Sequence, residues 1–301
     1  MPEPHKLKLI DRLLAEGWFG EPAEALPWIM AGKILVGDQR VYSGAEKVSS
    51  RAEIRIKEYY KIKYVSKGGL KLERALTDLR VDVRGKAVLD CGASKGGFTD
   101  CLLRYGASHV YAVDAGHGEL AGKLLINDKV VNMERTNISD AGLKTLLPKP
   151  EIITLDLSYL SLGLAVPICA DILAPDGIII ALIKPIVEVQ SGDIKRSGDV
   201  NRREIIADIL RNLRNVFISE GFYVDGMTHS PIRGNNGALE YFVCLRQTKK
   251  ATGENKAADP LPSADASVIP GYTDESFEEQ IYKVINQSFM LAKFSKFNYT
   301  H

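Results

Sequence analysis

The chain has 301 residues, of which 45% are hydrophobic and 26% charged, and its formal net charge at pH 7 is +1. This balance is typical of a globular protein with a sizeable core, and the length predicts one large domain with extra modules, or two domains. The near-neutral charge excludes a histone-like nucleic-acid coat but allows a local basic patch. The four cysteines lie at scattered spacings in apolar surroundings, which predicts reduced thiols in a cytoplasmic protein and no zinc site.

No segment of the sequence has the length and apolarity of a membrane span. The longest apolar run, Ile178–Ile183, is far shorter than the roughly 20 residues that a membrane helix needs. The N-terminus carries no apolar signal segment. A membrane-spanning or pore-forming protein is therefore disfavoured.

Residues 1–60 are predicted to form a small α+β domain. They hold nine basic and nine acidic residues, which is a weak charge for a phosphate-binding module. Helical patterns and then short strand patterns follow one another, at Leu7–Gly17, Ala23–Ala31, Lys33–Val36, Gln39–Tyr42 and Glu53–Lys57.

Residues 61–250 alternate apolar strand-like runs with helical stretches, which predicts an α/β domain with a parallel sheet covered by helices on both faces. The runs Gly221–Gly226 and Leu239–Leu245 have no helix between them and predict an antiparallel hairpin at the sheet edge. The predicted strands are Ala87–Asp90, Val110–Val113, Val130–Met133, Ile152–Leu155 and Ile178–Ile183, and the predicted helices are Phe98–Tyr105, Leu160–Leu173 and Asn201–Glu220.

The C-terminal segment differs from the rest in charge and composition. Residues 251–301 hold seven acidic and four basic residues, so this segment carries −3 and the rest of the chain +4. Residues 251–271 are rich in Pro, Ala, Ser and Asp and predict a flexible linker. Residues 272–301 predict an amphipathic helix that either packs back on the body or binds a partner. Its apolar positions are Phe277, Ile281, Val284, Ile285 and Phe289.

The most informative stretch is Val88–Phe98, VLDCGASKGGF, where an apolar strand ends and glycines precede a helix. Glycines there let the backbone pass close under a ligand, and the helix N-terminus presents free N–H groups. The next strand ends at Asp114, whose carboxylate can accept hydrogen bonds from two ribose hydroxyls. Ser94 stands where the dinucleotide pattern G-x-G-x-x-G has the glycine that makes room for a pyrophosphate. Because S-adenosylmethionine has no phosphate, this departure favours it over a nicotinamide dinucleotide.

Seven motifs then carry a resemblance to a known family. In order they read GGLKLERAL, LDCGASKGGFTDCLL, YAVDAGHGEL, MERTNI, TLDLSYLSL, IALIKP and NNGALEYFVCLR. The chain resembles the TlyA family, historically labelled hemolysin A, whose members are S-adenosylmethionine-dependent ribosomal RNA 2′-O-methyltransferases with an FtsJ-type catalytic domain. The resemblance covers residues 1–248 and is most specific over 64–246. It implies a Rossmann-like sheet of seven strands, the last one antiparallel, beside a small N-terminal α+β domain.

The resemblance implies a catalytic Lys-Asp-Lys-Glu tetrad, and the motifs place it at Lys71, Asp156, Lys184 and Glu240. A ribose 2′-hydroxyl is a poor nucleophile, so a base must take its proton as it attacks the sulfonium methyl group. A lysine serves as that base where burial and a neighbouring cation favour its neutral form. Lys184 is the expected base, Lys71 the expected cation, and the two carboxylates would orient the lysines. Taken singly, each charge is also explained as a solvated strand end.

The same resemblance implies cofactor contacts in and after the glycine loop. Asn137 is expected near the adenine, with a turn-capping side chain as the alternative. The expected cofactor contacts are Gly92, Ser94, Gly96, Gly97, Phe98, Asp114 and Asn137.

Residues 1–60 also resemble the small RNA-binding domain of the ribosomal-protein S-four type, mainly through IMAGKILVGDQRV. The usually basic helix, here Glu21–Met30, has no lysine or arginine, so a structural or protein-binding domain is the alternative. A basic run at the junction is expected either to follow a phosphate backbone or to form a solvated face. Its members are Lys61, Lys63, Lys67, Lys71 and Arg74.

These features together predict a cytoplasmic enzyme that methylates ribosomal RNA, free or within a ribosomal subunit, with S-adenosylmethionine as its cofactor and no metal. Three alternatives remain: a non-catalytic RNA-binding protein of the same fold, a hemolysin, and a nicotinamide oxidoreductase. The family's KPQFEV stands here as KPIVEV, from Lys184 to Val189, which leaves the RNA target open.

Overall fold

The computed structural model describes residues 6–16, 18–19, 21–56, 63–189, 201–234, 237–248 and 274–294. The chain divides into two compact units, residues 1–62 and 63–301, called here the N-terminal unit and the large unit. The predicted linker over residues 251–271 lies outside the described residues.

The N-terminal unit has two helices and two small antiparallel sheets around its own core. Strand β2 pairs with β3 and β5, and β1 pairs with β4. The helix predicted from Leu7 begins at Leu9 instead, because residues 6–8 pair with residues 47–49 as strands. Strands of three residues show too little alternation to be predicted. The elements are β1 (Lys6–Lys8), α1 (Leu9–Ala15), α2 (Pro22–Met30), β2 (Ile34–Val36), β3 (Gln39–Val41), β4 (Lys47–Ser49) and β5 (Ile54–Ile56).

The large unit alternates strands and helices, as its apolar runs predict. It comprises α3 (Gly68–Asp78), β6 (Ala87–Cys91), α4 (Gly97–Arg104), β7 (His109–Asp114), α5 (Gly122–Leu125), β8 (Val130–Glu134), a 3-10 helix (Ala141–Thr145), β9 (Ile152–Leu155), α6 (Leu162–Ile172), β10 (Ile178–Ile183), α7 (Pro185–Glu188), α8 (Arg203–Ser219), β11 (Phe222–His229), β12 (Tyr241–Gln247) and α9 (Asp274–Phe294).

The seven strands of the large unit form one sheet in the order β11-β12-β10-β9-β6-β7-β8. Strand β12 is antiparallel to both of its neighbours, β10 and β11, and the other described pairings are parallel. This confirms the predicted α/β fold with an antiparallel last strand. The predicted hairpin is present, but only β11 lies at the edge, because β12 inserts between β11 and β10 and is buried over residues 241–245.

The insertion of β12 brings its first residue to the edge of the sheet where the parallel strands end. Tyr241 pairs with Ile183, the last residue of β10. On the other side of the sheet centre, Cys91 pairs with Leu155, and the N–H of Asp156 donates to the carbonyl of Cys91 at 3.0 Å. The ends of β6, β9 and β10 and the start of β12 therefore meet at one edge.

Helix α9 packs on the main core of the large unit. Phe277, Ile281, Val284 and Ile285 are buried in the core cluster that also contains the sheet residues. Arg211 Nε donates to Glu278 Oε1 at 2.7 Å, which ties α9 to α8. Of the two interpretations of the C-terminal helix, the structure shows the one in which it packs back on the body.

Candidate active site at the carboxyl edge of the sheet

Lys184 and Asp156 follow neighbouring parallel strands, so their side chains emerge at the same edge and form an ion pair. Lys184 Nζ lies 2.6 Å from Asp156 Oδ1 and donates to Ser158 Oγ at 2.8 Å. The Lys184 side chain is 15% exposed and the Asp156 side chain 21%. The pair is thus largely shielded from water but still reachable by a ligand.

Lys71 and Glu240 form a second ion pair at this edge. Lys71 lies on α3, and Glu240 directly precedes β12. Lys71 Nζ is 2.6 Å from Glu240 Oε2, and their side chains are 13% and 6% exposed. Burial raises the pKa of the Glu240 carboxyl, Lys71 and Lys184 act to lower it, and Asp156 acts to raise it. Because the charges of Asp156 and Lys184 reach Glu240, the two pairs form one electrostatic cluster.

The loop between β6 and α4 passes directly under Asp156. Gly92 has a φ of +86°, and a Cβ there would lie 2.5 Å from the backbone oxygen of Asp156, so only glycine fits. Ser94 has a φ of +45°, a costly region for a residue with a side chain. Its N–H donates to Asp114 Oδ2 at 2.7 Å, and its hydroxyl donates to Glu119 Oε2 at 2.6 Å. These two hydrogen bonds hold the strained turn in place.

Asp114 ends β7, and two backbone amides hold its carboxylate. Ser94 N–H donates to Oδ2 and Gly116 N–H donates to Oδ1, each at 2.7 Å. A carboxylate has about four lone-pair sites, so each oxygen keeps the capacity to accept a second donor. The carboxylate is therefore oriented in advance to receive two adjacent hydroxyl groups of a ligand.

A cavity of about 380 Å³ lies beside this carboxylate and is called here the acidic cavity. Gly92 and Ser94 line it, and the charged residues of its lining are Asp114, Glu119 and Asp156. Because all three of these are acidic, the cavity favours a ligand that carries positive charge and hydroxyl donors.

A second cavity, of about 290 Å³, adjoins the first and is called here the basic cavity. Gly92, Ser94 and Asp156 line both cavities. The remaining charged residues of its lining are Lys67, Lys71 and Arg233. The two adjoining cavities therefore suit two ligands of opposite charge, and Asp156 lies where they meet.

Three residues predicted to touch a cofactor shape the loop or line the basic cavity. Gly97 and Phe98 line the basic cavity. Phe98 is only 3% exposed, and its ring centroid lies 6.1 Å from that of Phe242. Gly96 has a φ of +87° and faces the Leu124 side chain so closely that a Cβ would overlap it. Gly96 therefore permits the loop to pack on α5 and does not line either cavity.

Asn137 is exposed and caps a turn instead of lining a cavity. Its Oδ1 accepts hydrogen bonds from the Ser139 N–H at 3.1 Å and the Ser139 hydroxyl at 3.0 Å. Its own N–H donates to Asp140 Oδ2 at 2.8 Å. The neighbours Thr136 and Ile138 line the acidic cavity. The turn-capping alternative describes Asn137 in this structure.

Sequence reasoning missed three side chains close to the site. Ser158 and Tyr159 line the acidic cavity, and their only signal was their place directly after the strand end at Asp156. Glu188 accepts the backbone N–H of Leu162, with N–O distances of 3.1 and 3.2 Å to its two oxygens. Burial raises the pKa of Glu188 to about 7. Glu188 thus joins α7, which follows Lys184, to the start of α6.

Asp90 is a buried carboxyl next to the start of the glycine loop, and it also binds the helix that follows the loop. It is fully buried, and its two oxygens accept the hydroxyls of Thr99 at 2.6 Å and Thr154 at 2.8 Å. Burial raises the pKa of Asp90 to about 6, against the lowering effect of these two hydrogen bonds. The buried carboxyl therefore ties β6 to α4 and to β9.

The basic run at the junction is partly neutralised by carboxylates that the sequence pattern did not reveal. Lys61 lies outside the described residues. Three members have acidic partners, in the pairs Lys63–Glu73 at 2.7 Å, Lys71–Glu240 at 2.6 Å and Arg74–Asp78 at 2.5 Å. The run is therefore a weaker phosphate-binding track than its lysine count indicates.

Within the described residues, no helix is long and apolar enough to span a membrane. The same residues contain no cluster of three His, Cys, Asp or Glu side chains placed to hold a metal ion.

Comparison with known proteins agrees with the motifs. The family described as FtsJ-like methyltransferase matches residues 64–247. The chain is 34% identical to the curated protein "Putative rRNA methyltransferase YqxC" of Bacillus subtilis, over 97% of both chains. It is 32% identical to "16S/23S rRNA (cytidine-2'-O)-methyltransferase TlyA" of Mycobacterium tuberculosis, over 84% of this chain and 94% of that one.

A solved structure is similar over nearly the whole chain. "Putative hemolysin from Streptococcus thermophilus" is 30% identical, has a TM-score of 0.66, and the match covers 98% of this chain and 99% of that one. The expected resemblance, drawn from seven motifs, is confirmed by these matches.

Proposed function

Because the chain belongs to the FtsJ-like methyltransferase family, we propose that it transfers a methyl group from S-adenosylmethionine to a ribose 2′-hydroxyl of ribosomal RNA. The supporting observation is the junction of the acidic and basic cavities at Asp156, flanked by two lysine–carboxylate pairs. The ribosomal RNA target follows the names of the relatives YqxC and TlyA. Such a target also places the enzyme in the cytoplasm, with the ribosomes.

The acidic cavity fits S-adenosylmethionine by charge and by hydrogen-bonding groups. Asp114 offers an acceptor to each of two ribose hydroxyls, and the acidic lining suits a positively charged sulfonium. Ile138, Leu157 and Tyr159 supply apolar and aromatic surface for a purine ring. When bound, this cofactor supplies a methyl carbon that the sulfonium makes electrophilic.

We assign Lys184 as the general base. The 2′-oxygen forms a bond to the methyl carbon, its proton passes to Lys184 Nζ, and the electron pair of the broken carbon–sulfur bond stays on sulfur. Asp156 Oδ1, at 2.6 Å, stabilises the ammonium that results. A positioned base of this kind contributes roughly a hundredfold to ten-thousandfold to a proton-transfer step.

In this proposal, the Lys71–Glu240 pair lies on the RNA side of the junction between the two cavities. Lys71 lines the basic cavity, and Glu240 fixes its ammonium at 2.6 Å. Lys67 and Arg233 line the same cavity and add positive charge that attracts an RNA phosphate.

In the N-terminal unit, the ribbon of β1 and β4 is the proposed RNA contact. Lys8 lies directly opposite Lys47, Lys6 lies on the same face, and all three are exposed. Like charges directly opposite one another destabilise a strand pair, and a bound phosphate relieves that repulsion. Helix α2 corresponds to the helix that is usually basic in the family, but it has no lysine or arginine and exposes Leu26 and Met30.

The test is methyl transfer from radiolabelled S-adenosylmethionine to ribosomal RNA from cells that lack the protein. The product should resist alkaline hydrolysis at a specific nucleotide, because a 2′-O-methyl group blocks the attacking oxygen. Asp156→Asn serves as the inactive control. Methylation of a base, or no transfer to RNA together with tight binding of NADH, would contradict the proposal.

A further inference from the structure

Ser158 is not a member of the predicted tetrad, yet it contacts the proposed base directly. Its Oγ accepts a hydrogen bond from Lys184 Nζ at 2.8 Å, while Asp156 Oδ1 lies 2.6 Å from the same nitrogen. Both acceptors come from the one short segment that follows β9. Lys184 Nζ is therefore held from two directions by residues two positions apart.

The number of acceptors matters because of what a neutral amine can offer. An ammonium has three N–H donors, whereas a neutral lysine amine has two N–H bonds and one lone pair. If Asp156 and Ser158 accept both N–H bonds, the lone pair must point in the remaining tetrahedral direction. With one acceptor alone, the amine can rotate and direct an N–H bond, in place of the lone pair, at the substrate.

We infer that Ser158 is a positioning residue that directs the lone pair of Lys184 toward the 2′-hydroxyl. This inference rests on the proposed function, in which Lys184 is the base. Asp156 supplies the charge that stabilises the product ammonium, and Ser158 fixes the direction of the Lys184 lone pair. A carboxylate alone cannot do both, because Asp156 Oδ1 occupies only one corner of the amine's tetrahedron.

The rate test compares Ser158→Ala, Ser158→Thr and a matched control in the full chain. The control is Ser161→Ala, because Ser161 lies in the same segment and its buried Oγ has no hydrogen-bond partner among the described residues. In single-turnover methyl transfer, we expect Ser158→Ala to be slower by roughly three- to tenfold, the size of one lost hydrogen bond. Ser158→Thr keeps the acceptor and should stay within about twofold of the unmodified protein, as should the control.

A double-mutant cycle separates positioning from a general structural effect. If Ser158 acts through Lys184, adding Ser158→Ala to Lys184→Ala should leave the residual rate unchanged. A further loss of the same size in that background would overturn the inference. So would a loss of S-adenosylmethionine affinity that accounts for the whole effect, because Ser158 would then be a cofactor contact.

A spectroscopic measurement on the cofactor-free protein tests the hydrogen bond itself. With ¹⁵N-labelled lysine, the Nζ signal that disappears in Lys184→Ala identifies Lys184. Its protons should exchange with water several-fold faster in Ser158→Ala and at the normal rate in Ser161→Ala, because one acceptor has been lost. Equal exchange in all three proteins would overturn the inference. Absence of RNA methylation by the unmodified protein would instead refute the proposed function, which keeps the two failures distinguishable.

Discussion

Lys71 and Glu240 meet although they come from opposite ends of the fold: one lies on the first helix of the large unit and the other directly before the last strand of its sheet. Their atoms lie 2.6 Å apart, and both side chains are largely buried. An ion pair shielded in this way contributes little net stability, yet the loss of one partner leaves the other charge stranded.

Removing the carboxylate should therefore be costly. We expect Glu240→Ala to lower the free energy of unfolding by about 3–5 kcal/mol, measured by urea denaturation, because the Lys71 ammonium stays behind without a partner. The matched control is Glu151→Ala, which breaks the more exposed pair with Lys86 and should cost less than about 1 kcal/mol. Similar losses in both variants would show that the Lys71–Glu240 pair is effectively hydrated.

The assignment of Lys184 as the base predicts a loss of rate without a loss of cofactor binding. Lys184→Ala should keep S-adenosylmethionine affinity within about threefold by calorimetry, while methyl transfer falls by on the order of a hundredfold or more. Lys184→Arg should be nearly as damaging, because a guanidinium does not release its proton at neutral pH. Lys86→Ala is the control. Lys86 directly precedes β6 and pairs with Glu151, which directly precedes β9, so this pair lies at the edge of the sheet opposite to the candidate active site. Near-normal turnover by either Lys184 variant would eliminate it as the base.

Asp114 should matter for the cofactor and not for the chemistry. Asp114→Ala is expected to weaken S-adenosylmethionine binding by roughly 1–3 kcal/mol, because charge-assisted contacts to the ribose are lost. Asp128→Ala should leave binding unchanged, because Asp128 is exposed and precedes β8, at the edge of the sheet opposite to Asp114. NADH should not bind to any of these proteins, and calorimetry with both ligands checks the set.

Glu188 predicts a pH dependence of stability. Burial raises its pKa from 4.5 to about 7, so protonation is easier in the folded chain than in the unfolded one. Its contribution to stability is full below the unfolded pKa and is lost as the pH rises through about 7. Between about pH 5 and pH 8 the free energy of unfolding should fall by up to about 2–3 kcal/mol from this group.

Glu188→Gln should remove that fall, because an amide does not titrate. Glu279→Gln, an exposed change on α9, should keep it. Urea denaturation at both pH values measures the difference, and an identical pH dependence of Glu188→Gln and the unmodified protein would show that Glu188 titrates as a solvated carboxyl.

The C-terminal helix should be needed for stability. Deleting residues 274–301 exposes the core face of α9, and each fully buried side chain is worth about 1.5–3 kcal/mol. Four such residues approach the whole stability of a typical domain, about 5–15 kcal/mol. We therefore expect the deletion to prevent folding. Ile281→Ala should cost about 2–5 kcal/mol, whereas Tyr282→Ala, 60% exposed, should cost little. A folded, cofactor-binding deletion protein would contradict this.

Several elements of the large unit could be predicted because they are buried on both faces. The runs at Val88, Ile152 and Ile178 are buried at every position and apolar except for Asp90 and Thr154. The structure places strands there with ends one residue or less from the predicted bounds. Helix α3 was not predicted, although it buries Leu72 and Leu76. Its first two residues, Gly68 and Gly69, are poor helix formers, and they weaken the helical signal of the sequence.

The site itself depended on contacts that no local pattern contains. Gly92 and Asp114 were evident from the strand–loop–helix pattern, which is local. The packing of α9 on the core could not be predicted, because the same amphipathic pattern is expected of a helix that binds a partner and of a helix that packs on its own core. Ser158 and Glu188 act through a single hydrogen-bonding partner each, brought close only by the register of β9 and β10.

The insertion of β12 between β10 and β11 also bears on how the protein is made. During translation, β6 to β10 leave the ribosome first, with the inner edge of β10 still open and β11 without a neighbour. Glu240 arrives only when β12 emerges and fills that gap. A nascent chain halted before this point lacks the Lys71–Glu240 pair, and its exposed sheet edge invites aggregation. The active site of this enzyme therefore cannot be complete until the segment that contains Glu240 and β12 has been synthesised.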